Sequence, residues 1–191
     1  MDLGKKCEII VAREKGRINW GDEEYYPADR TILSICEDYD NWKDNDTLKN
    51  YFKPLIDELV DDEFWEELLR PLNERNWTVR WDNRGATPRR DIVFLRGQIG
   101  ADYLVYVHGE IEGAYGKQFE VAINGESSLS LLPTIKQFTD ELEVGKCFIV
   151  HYEKQITFGG NRKKYCYKIT EITEDEYLNG VIDARANTFA Y

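Results

Sequence analysis

The sequence predicts an α+β protein in which an antiparallel, OB-like β-sheet or barrel unit follows an acidic helical N-terminal lobe. The first observation is that residues 92–172 contain several short runs of alternating apolar and polar side chains, as in strands with one covered face. The second is that a run with helical spacing separates the third of these strands from the fourth. The resulting order is strand, strand, strand, helix, strand, strand, and a helix has the same place in OB-type barrels.

The N-terminal lobe, residues 1–84, begins with two predicted strands. The short apolar run at residues 7–12 predicts the first strand. Residues 14–17 contain a glycine and predict a turn into a second strand around Ile18 and Trp20.

Three helices are predicted in the middle of this lobe. Residues 31–36 fit either a strand or a helix capped by Asp29, and we favour the helix. A short helix over residues 47–52 follows, with Asp46 or Thr47 as its cap.

The longest predicted helix begins at Pro54 and ends before Pro71. A proline fits the first helical turn because the N–H that it lacks would have no partner there, whereas a proline further along interrupts the hydrogen-bond ladder. The apolar side chains recur at three- and four-residue steps and form one stripe. They are Leu55, Ile56, Leu59, Val60, Phe64, Leu68 and Leu69.

The outer face of this helix is acidic, and few of its carboxylates have a lysine or arginine four residues away. Like charges at this spacing repel each other by a few tenths of a kcal/mol, roughly, for each pair. A solvated surface is one interpretation, and a surface for a basic partner is the other. The candidate partner-binding face consists of Asp57, Asp61, Asp62, Glu63, Glu66 and Glu67, with Trp65 as an aromatic anchor.

A strand and a loop connect this lobe to the second domain, residues 85–191. Trp77, Val79 and Trp81 alternate with polar residues and predict the strand. Residues 83–90 contain no apolar anchor, so we place the domain boundary in this loop.

Two hairpins form the predicted β unit. Residues 103–111 and 119–123 alternate around a glycine-rich turn, and pairing Ile111 with Phe119 keeps their apolar rows on one face. Residues 146–156 and 165–172 form the second hairpin around Gly159, Gly160 and Asn161. Three aromatic or aliphatic residues of its first strand should share a face with two of its second. They are Phe148, Val150 and Tyr152, with Tyr167 and Ile169.

Two helices complete the prediction. Residues 129–142 have apolar side chains at helical spacing, provided that Pro133 lies in the first turn. Thr173 and Glu176 form a capping-box pair that predicts a helix through Ala184, and residues 186–191 are predicted to be a tail.

The net charge of −11 is concentrated in one third of the 191-residue chain. Residues 21–75 contain 17 acidic and 6 basic side chains, which alone give −11. The chain totals 36 acidic and 25 basic residues, so the remainder holds 19 of each. We therefore expect one acidic lobe and one balanced part.

The composition and the cysteines indicate a cytoplasmic protein, in the host cytoplasm if it is viral. The four cysteines are scattered without a Cys-x-x-Cys pair, which favours reduced thiols. The sequence contains no run of about 18 apolar residues, so no membrane span is predicted. Its first residues lack the apolar core of a signal peptide. No close pairs of metal ligands are present, so we expect neither a metal nor a cofactor and assign no catalytic residue.

A basic set of residues supports a different function. The tip of the second hairpin is basic, and in OB-type barrels the corresponding loop contacts single-stranded nucleic acid, with aromatic residues stacking on bases. The candidate nucleic-acid-binding residues are Arg80, Arg84, Arg89, Arg90, Arg162, Lys163, Lys164 and Tyr165.

The two histidines, His108 and His151, are the candidates for an enzymatic site. Both lie on predicted strands, with Glu110 and Glu153 two residues away on the same faces. General acid–base catalysis requires such groups within reach of one substrate position. Half-exposed strand histidines without a catalytic role are the alternative interpretation.

Three classes of function follow from these features. The first is a non-enzymatic inhibitor or immunity-type protein, with the general character of anti-CRISPR, antirestriction and toxin-immunity proteins, that binds a basic nucleic-acid-handling protein such as a nuclease. The second is an OB-like protein that binds single-stranded nucleic acid, and the third is a small enzyme that uses His108 or His151. The charge favours the first, since a chain at −11 repels phosphate before any local basic patch acts.

Overall fold

The computed structural model describes residues 2–19, 27–60, 70–80 and 91–188. The chain divides into two compact units. The first comprises Met1–Arg70 and Ile182–Tyr191, and the second comprises Pro71–Val181.

The described part of the first unit is helical. Its helices are α1 (Leu3–Asn19), α2 (Pro27–Glu37), α3 (Tyr39–Trp42) and α4 (Asp46–Val60). Its core consists of Cys7, Ile10, Cys36, Trp42 and Ile56. The Trp42 indole N–H donates to the Ile35 carbonyl at 2.8 Å. Its ring makes edge-to-face contacts with Tyr39 and Phe52, with ring centroids 5.0 and 5.1 Å apart. The helix predicted at residues 31–36 is confirmed within α2.

The strands predicted at residues 7–12 and around Ile18 are wrong, because both lie within α1. The buried or packed positions Leu3, Cys7, Ile10 and Glu14 recur at three- and four-residue steps, which is the spacing of one helix face. The run of β-branched residues after Cys7 concealed this spacing. Trp20, the end of the second predicted strand, lies outside the described residues.

Pro54 does not begin a helix, because it lies inside α4. Residues 47–52 and the first part of the predicted long helix are therefore one element. An interior proline removes one ladder hydrogen bond, but Ile56 is fully buried and Phe52 and Leu59 pack against the same core. Burial of this continuous stripe outweighs the local defect. The predicted remainder, residues 61–69, lies outside the described part.

The second unit is built on a six-stranded mixed sheet in the order β1-β4-β3-β2-β5-β6. The strands are β1 (Thr78–Val79), β2 (Asp102–Gly113), β3 (Gly116–Ile123), β4 (Ser128–Leu131), β5 (Cys147–Phe158) and β6 (Arg162–Ile172). Helix α5 (Lys136–Glu141) precedes β5, and α6 (Glu174–Thr188) follows β6. A 3₁₀ turn, Leu72–Glu74, precedes β1.

The α+β class is confirmed, whereas closure of the sheet into an OB-like barrel is not. Among the described residues, β1 and β6 are the two edges and do not pair with each other. The sheet is also not purely antiparallel, because β1 runs parallel to β4. The strand predicted at residues 77–81 is confirmed only as the short β1, and Trp81 lies outside the described part.

One face of the sheet carries the main core. Its strand residues include Val105, Val107, Phe119, Val121, Phe148, Val150, Tyr152 and Tyr167, and Leu95, Leu132, Phe138 and Leu142 pack over them. On the opposite face, Trp77 stacks on Tyr106 with ring centroids 5.6 Å apart. The predicted shared face of the second hairpin is confirmed, since Val150 pairs with Ile169 and Tyr152 with Tyr167.

The first hairpin is confirmed, but its register differs from the predicted one. Phe119 pairs with Glu110 and not with Ile111. The turn sets this register, because Gly113 pairs with Gly116 and only Ala114 and Tyr115 lie between them. Further from the turn, a bulge between Val107 and Gly109 shifts the pairing by one more position.

The helix predicted at residues 129–142 is wrong in its first part, where Ser128–Leu131 form β4 and only Lys136–Glu141 are helical. All four residues from Leu129 to Leu132 are buried, which is typical of a strand covered on both faces. Ile92, at the start of the stretch predicted to contain the strand, strand, strand, helix order, makes a single parallel bridge to Leu131.

The C-terminal helix begins where the capping box places it, at Glu174. It continues to Thr188, so the predicted tail is helical over residues 186–188, and residues 189–191 lie outside the described part. None of the described helices is both long enough and apolar enough to cross a membrane.

Candidate functional site

The β5–β6 hairpin extends well past its neighbour in the sheet. β2 pairs with β5 from Tyr106–Cys147 to Asp102–His151, and two further backbone hydrogen bonds reach Tyr152. The β5–β6 pairing continues to Phe158 and Arg162. The six residues beyond Tyr152 span about 20 Å. We call this two-stranded extension, residues 153–166, the ribbon.

The ribbon is positively charged in a strongly acidic chain. It carries one acidic residue, Glu153, and four basic residues, so its net charge is +3. The basic residues are Lys154, Arg162, Lys163 and Lys164, and all four are exposed. Within the described part of the protein, none of them has an ion-pair partner. Their charges are therefore available to an anionic ligand.

The tip of the ribbon also exposes apolar side chains. Phe158 is 51% exposed and pairs with Arg162, and Ile156 is 37% exposed and pairs with Lys164. Apolar and cationic groups thus lie side by side on the strands. Such a surface suits a ligand that combines negative charge with flat or apolar parts.

An arginine lies between two aromatic rings where the ribbon leaves the sheet. The guanidinium carbon of Arg96 is 4.1 Å from the centroid of the Phe94 ring and 4.3 Å from that of Tyr165. Cations over ring faces at such distances are attracted by the ring quadrupole. Tyr165, predicted as a free platform for bases, is instead half-buried and packs against the sheet core.

Three further tyrosines surround this point. The ring of Tyr152 lies 6.2 Å from that of Tyr165 and 5.8 Å from that of Tyr167. Burial raises the pKa of Tyr167 to about 12, although the positive charge of Arg96 acts against the shift, and burial also raises the pKa of Tyr103. Tyr103 and Tyr167 therefore stay protonated at neutral pH, so they offer rings and O–H donors and not a general base.

The remaining members of the predicted basic set do not join this site. Arg80 forms an ion pair with Glu126, which neutralises its charge. Arg84, Arg89 and Arg90 lie outside the described residues. The structure therefore brings together Arg162, Lys163 and Lys164, with Tyr165 next to them on β6.

Asp57 is the described member of the predicted acidic face, and lysines of its own unit neutralise it. Its carboxylate oxygens lie 2.5 Å from Lys53 Nζ and 2.5 Å from Lys6 Nζ. These hydrogen bonds lower the pKa of Asp57, and the one from Lys53 has the larger effect. The other residues predicted for this face are not described by the structure; they are Asp61, Asp62, Glu63, Trp65, Glu66 and Glu67.

The structure does not bring the two histidines together. His151 is the partner of Asp102 across the β2–β5 pairing, and its Nδ1 lies 2.7 Å from Asp102 Oδ1. His108 lies six residues further along β2, a distance of about 20 Å, where its ring is 5.9 Å from that of Trp77. No shared acid–base site is formed.

The described residues contain no cluster of three or more potential metal ligands. The four cysteines are free, and Cys7, Cys36 and Cys147 are buried. Burial raises the pKa of Cys147 to about 12, so its thiol is not a ready nucleophile.

Sequence reasoning missed Phe94 and Arg96, because their ring partner Tyr165 is remote in the chain and no local pattern connects them.

No protein-family model, no curated protein and no solved structure matches this chain.

Proposed function

We propose that this protein binds nucleic acid and that the β5–β6 ribbon contacts the phosphate backbone. The observation that carries the proposal is the group of four exposed basic side chains on the ribbon, none of which has an ion-pair partner among the described residues, within a chain whose net charge is −11. The ribbon would correspond to the loop between the fourth and fifth strands of an OB-like barrel.

The charge of the second unit explains how an acidic chain can bind phosphate. Pro71–Val181 contain 16 acidic and 14 basic side chains, a net charge of −2, whereas the rest of the chain contains 20 and 11, a net charge of −9. The repulsive charge is thus held mainly by the other unit. Lysine and arginine contacts with phosphates release condensed counterions, and that release drives binding.

Fluorescence anisotropy with a labelled 20-nucleotide oligonucleotide tests this proposal. In Arg162→Gln/Lys163→Gln/Lys164→Gln, we expect binding at 50 mM salt to weaken about tenfold or more, and the slope of log K against log salt to fall by about 2. The matched control Lys43→Gln/Lys53→Gln/Lys136→Gln makes the same change in net charge at lysines outside the ribbon. Equal losses in the two variants, or no salt-dependent binding by the wild type, would contradict the proposal.

The charge of residues 21–75 favours a second candidate function. This segment contains 17 acidic and 6 basic side chains. Such an excess of negative charge suits a protein partner with a basic surface, for example a nuclease. The protein would then be an inhibitor of anti-CRISPR, antirestriction or toxin-immunity character, with Trp65 and the carboxylates near it in the sequence as its contact residues.

A pull-down from the protein's own host tests this second candidate. We expect a basic nucleic-acid enzyme to be retained by the wild type and lost from Asp61→Asn/Asp62→Asn/Glu66→Gln/Glu67→Gln. The control neutralises four carboxylates of the second unit, Glu112, Glu141, Glu143 and Glu171, and should retain the partner. Loss of the partner from both variants would show a general charge effect and no acidic contact surface.

A further inference from the structure

We infer that the exposed face of Phe94 is a stacking platform for one unpaired nucleobase, supported from behind by Arg96 and Tyr165. This inference rests on the proposed nucleic-acid binding and adds its substrate class: single-stranded nucleic acid with its bases present.

The three side chains form a layered stack. Arg96 lies 4.1 Å from the Phe94 centroid and 4.3 Å from the Tyr165 centroid, while the two rings make no ring contact with each other in the described part of the chain. The guanidinium therefore separates them. Tyr165 is the inner layer, because it packs on Tyr152 and the sheet core. Phe94 is the outer layer and is 45% exposed.

The backbone holds this stack in place before any ligand binds. Leu95, between Phe94 and Arg96, is fully buried, and the Val93 N–H donates to the Leu131 carbonyl at 2.8 Å. Gly97 has φ +39°, and a side chain there would overlap the Tyr103 hydroxyl. A preformed platform binds a base without first ordering its own side chains.

The positive charge within the stack is not compensated by the described residues. Arg96 has no carboxylate partner among them, and its buried Nε lacks a hydrogen-bond acceptor. Guanidinium planes and aromatic rings are the groups on which proteins stack unpaired bases. The stack thus combines a flat outer surface with a positive charge directly behind it.

The position of the stack relative to the ribbon suits a strand that follows both. Tyr165 is next to Lys164 in β6, and Lys163 and Arg162 continue toward the tip. Side chains alternate between the two faces of a strand, so Lys163 shares the face of Tyr165, whereas Arg162 and Lys164 lie on the other face of the same ribbon. A base on Phe94 would leave its backbone on the side of Lys163, and the strand would continue along the ribbon toward the other two cations. The bases of a duplex already stack on each other, so only a single strand can supply the base.

Three oligonucleotides of equal length test the inference: a single strand, its duplex and an abasic strand. We expect the wild type to bind the single strand about tenfold more tightly than the other two. Phe94→Ala should weaken binding of the single strand about tenfold and leave the abasic strand and the salt slope unchanged. Phe94→Trp should retain the affinity, and its added fluorescence should be quenched when a base stacks on it. The control Tyr115→Ala removes an aromatic side chain that is 90% exposed on the β2–β3 turn and should change nothing.

The outcomes separate this inference from the proposed function. If all three oligonucleotides bind equally and Phe94→Ala has no effect, while the ribbon variant still loses binding, the platform is overturned and backbone binding stands. If the wild type binds none of the three, both are overturned.

Discussion

At the scale of single residues, the start of α6 shows an interaction that was fully predictable. The Glu176 carboxylate accepts hydrogen bonds from the Thr173 N–H at 2.7 Å and the Thr173 hydroxyl at 2.9 Å, and the Glu176 N–H donates to that hydroxyl at 3.2 Å. All the groups lie within four consecutive residues, so sequence spacing alone identifies them. Arg96 is the opposite case, since its position between Phe94 and Tyr165 depends on how remote segments pack.

Replacing the cap by Thr173→Ala should lower the free energy of unfolding by about 1 kcal/mol at neutral pH. The hydrogen bonds from Thr173 lower the pKa of Glu176 in the folded state. The contribution of ionised Glu176 to the free energy of unfolding is therefore complete above the ordinary glutamate pKa. It is lost as the pH falls through the lowered pKa of the folded state. Thr173→Ala keeps the backbone N–H that donates to Glu176 and removes only the hydroxyl. Urea unfolding of both proteins should therefore show their difference shrinking in acid by the part due to the hydroxyl–carboxylate hydrogen bond. Thr134→Ala, at an exposed position without a side-chain hydrogen bond among the described residues, is the control, and a pH-independent difference would contradict this explanation.

At the scale of elements, the hairpins were predictable and several boundaries were not. The turns at Gly113–Gly116 and Gly159–Asn161 contain residues that tolerate positive φ, so the sequence alone indicates them. The alternating runs on either side of each turn indicate the paired strands. All four residues of the run Leu129–Leu132 are buried, including its one polar residue, Ser130. The run therefore has no alternation of buried and exposed residues that would distinguish a strand from a helix. The course of α4 through Pro54 likewise depends on core packing, which local propensity does not contain.

Helix α6 approaches the sheet closely enough to require glycine at the β3–β4 turn. Gly125 has φ +73°, its N–H donates to the Tyr177 hydroxyl at 3.2 Å, and a Cβ there would overlap the Val181 side chain. Gly145 has φ +84° but no atom within 4 Å of its position for a Cβ. Gly145→Ala should therefore cost only the left-handed backbone strain, about 1–2 kcal/mol. Gly125→Ala should cost about 1–3 kcal/mol more because of overpacking. Equal shifts of the two urea midpoints would show that α6 moves aside freely.

At the scale of the whole molecule, the distribution of charge is the property most relevant to function, and it is legible from the sequence without any structure. What the structure adds is location. It places the ribbon cations on an exposed hairpin, and it pairs Asp57 with two lysines of the same unit. The other residues of the predicted acidic face lie between positions 61 and 67.

Neutralising that acidic segment should strengthen nucleic-acid binding at low salt. In Asp61→Asn/Asp62→Asn/Glu66→Gln/Glu67→Gln the net charge rises by four, and repulsion of the phosphates falls. We expect the affinity for a single-stranded oligonucleotide to increase by about threefold at 20 mM salt and the gain to disappear near 300 mM. The reason is that the screening length shrinks from about 30 Å at 0.01 M to about 8 Å at 0.15 M. Anisotropy titrations across this salt range measure the effect, and unchanged circular dichroism confirms the fold of the variant. A weaker affinity would mean that these carboxylates contact the ligand, whereas a gain at every salt concentration would mean that they act locally and not through the long-range field.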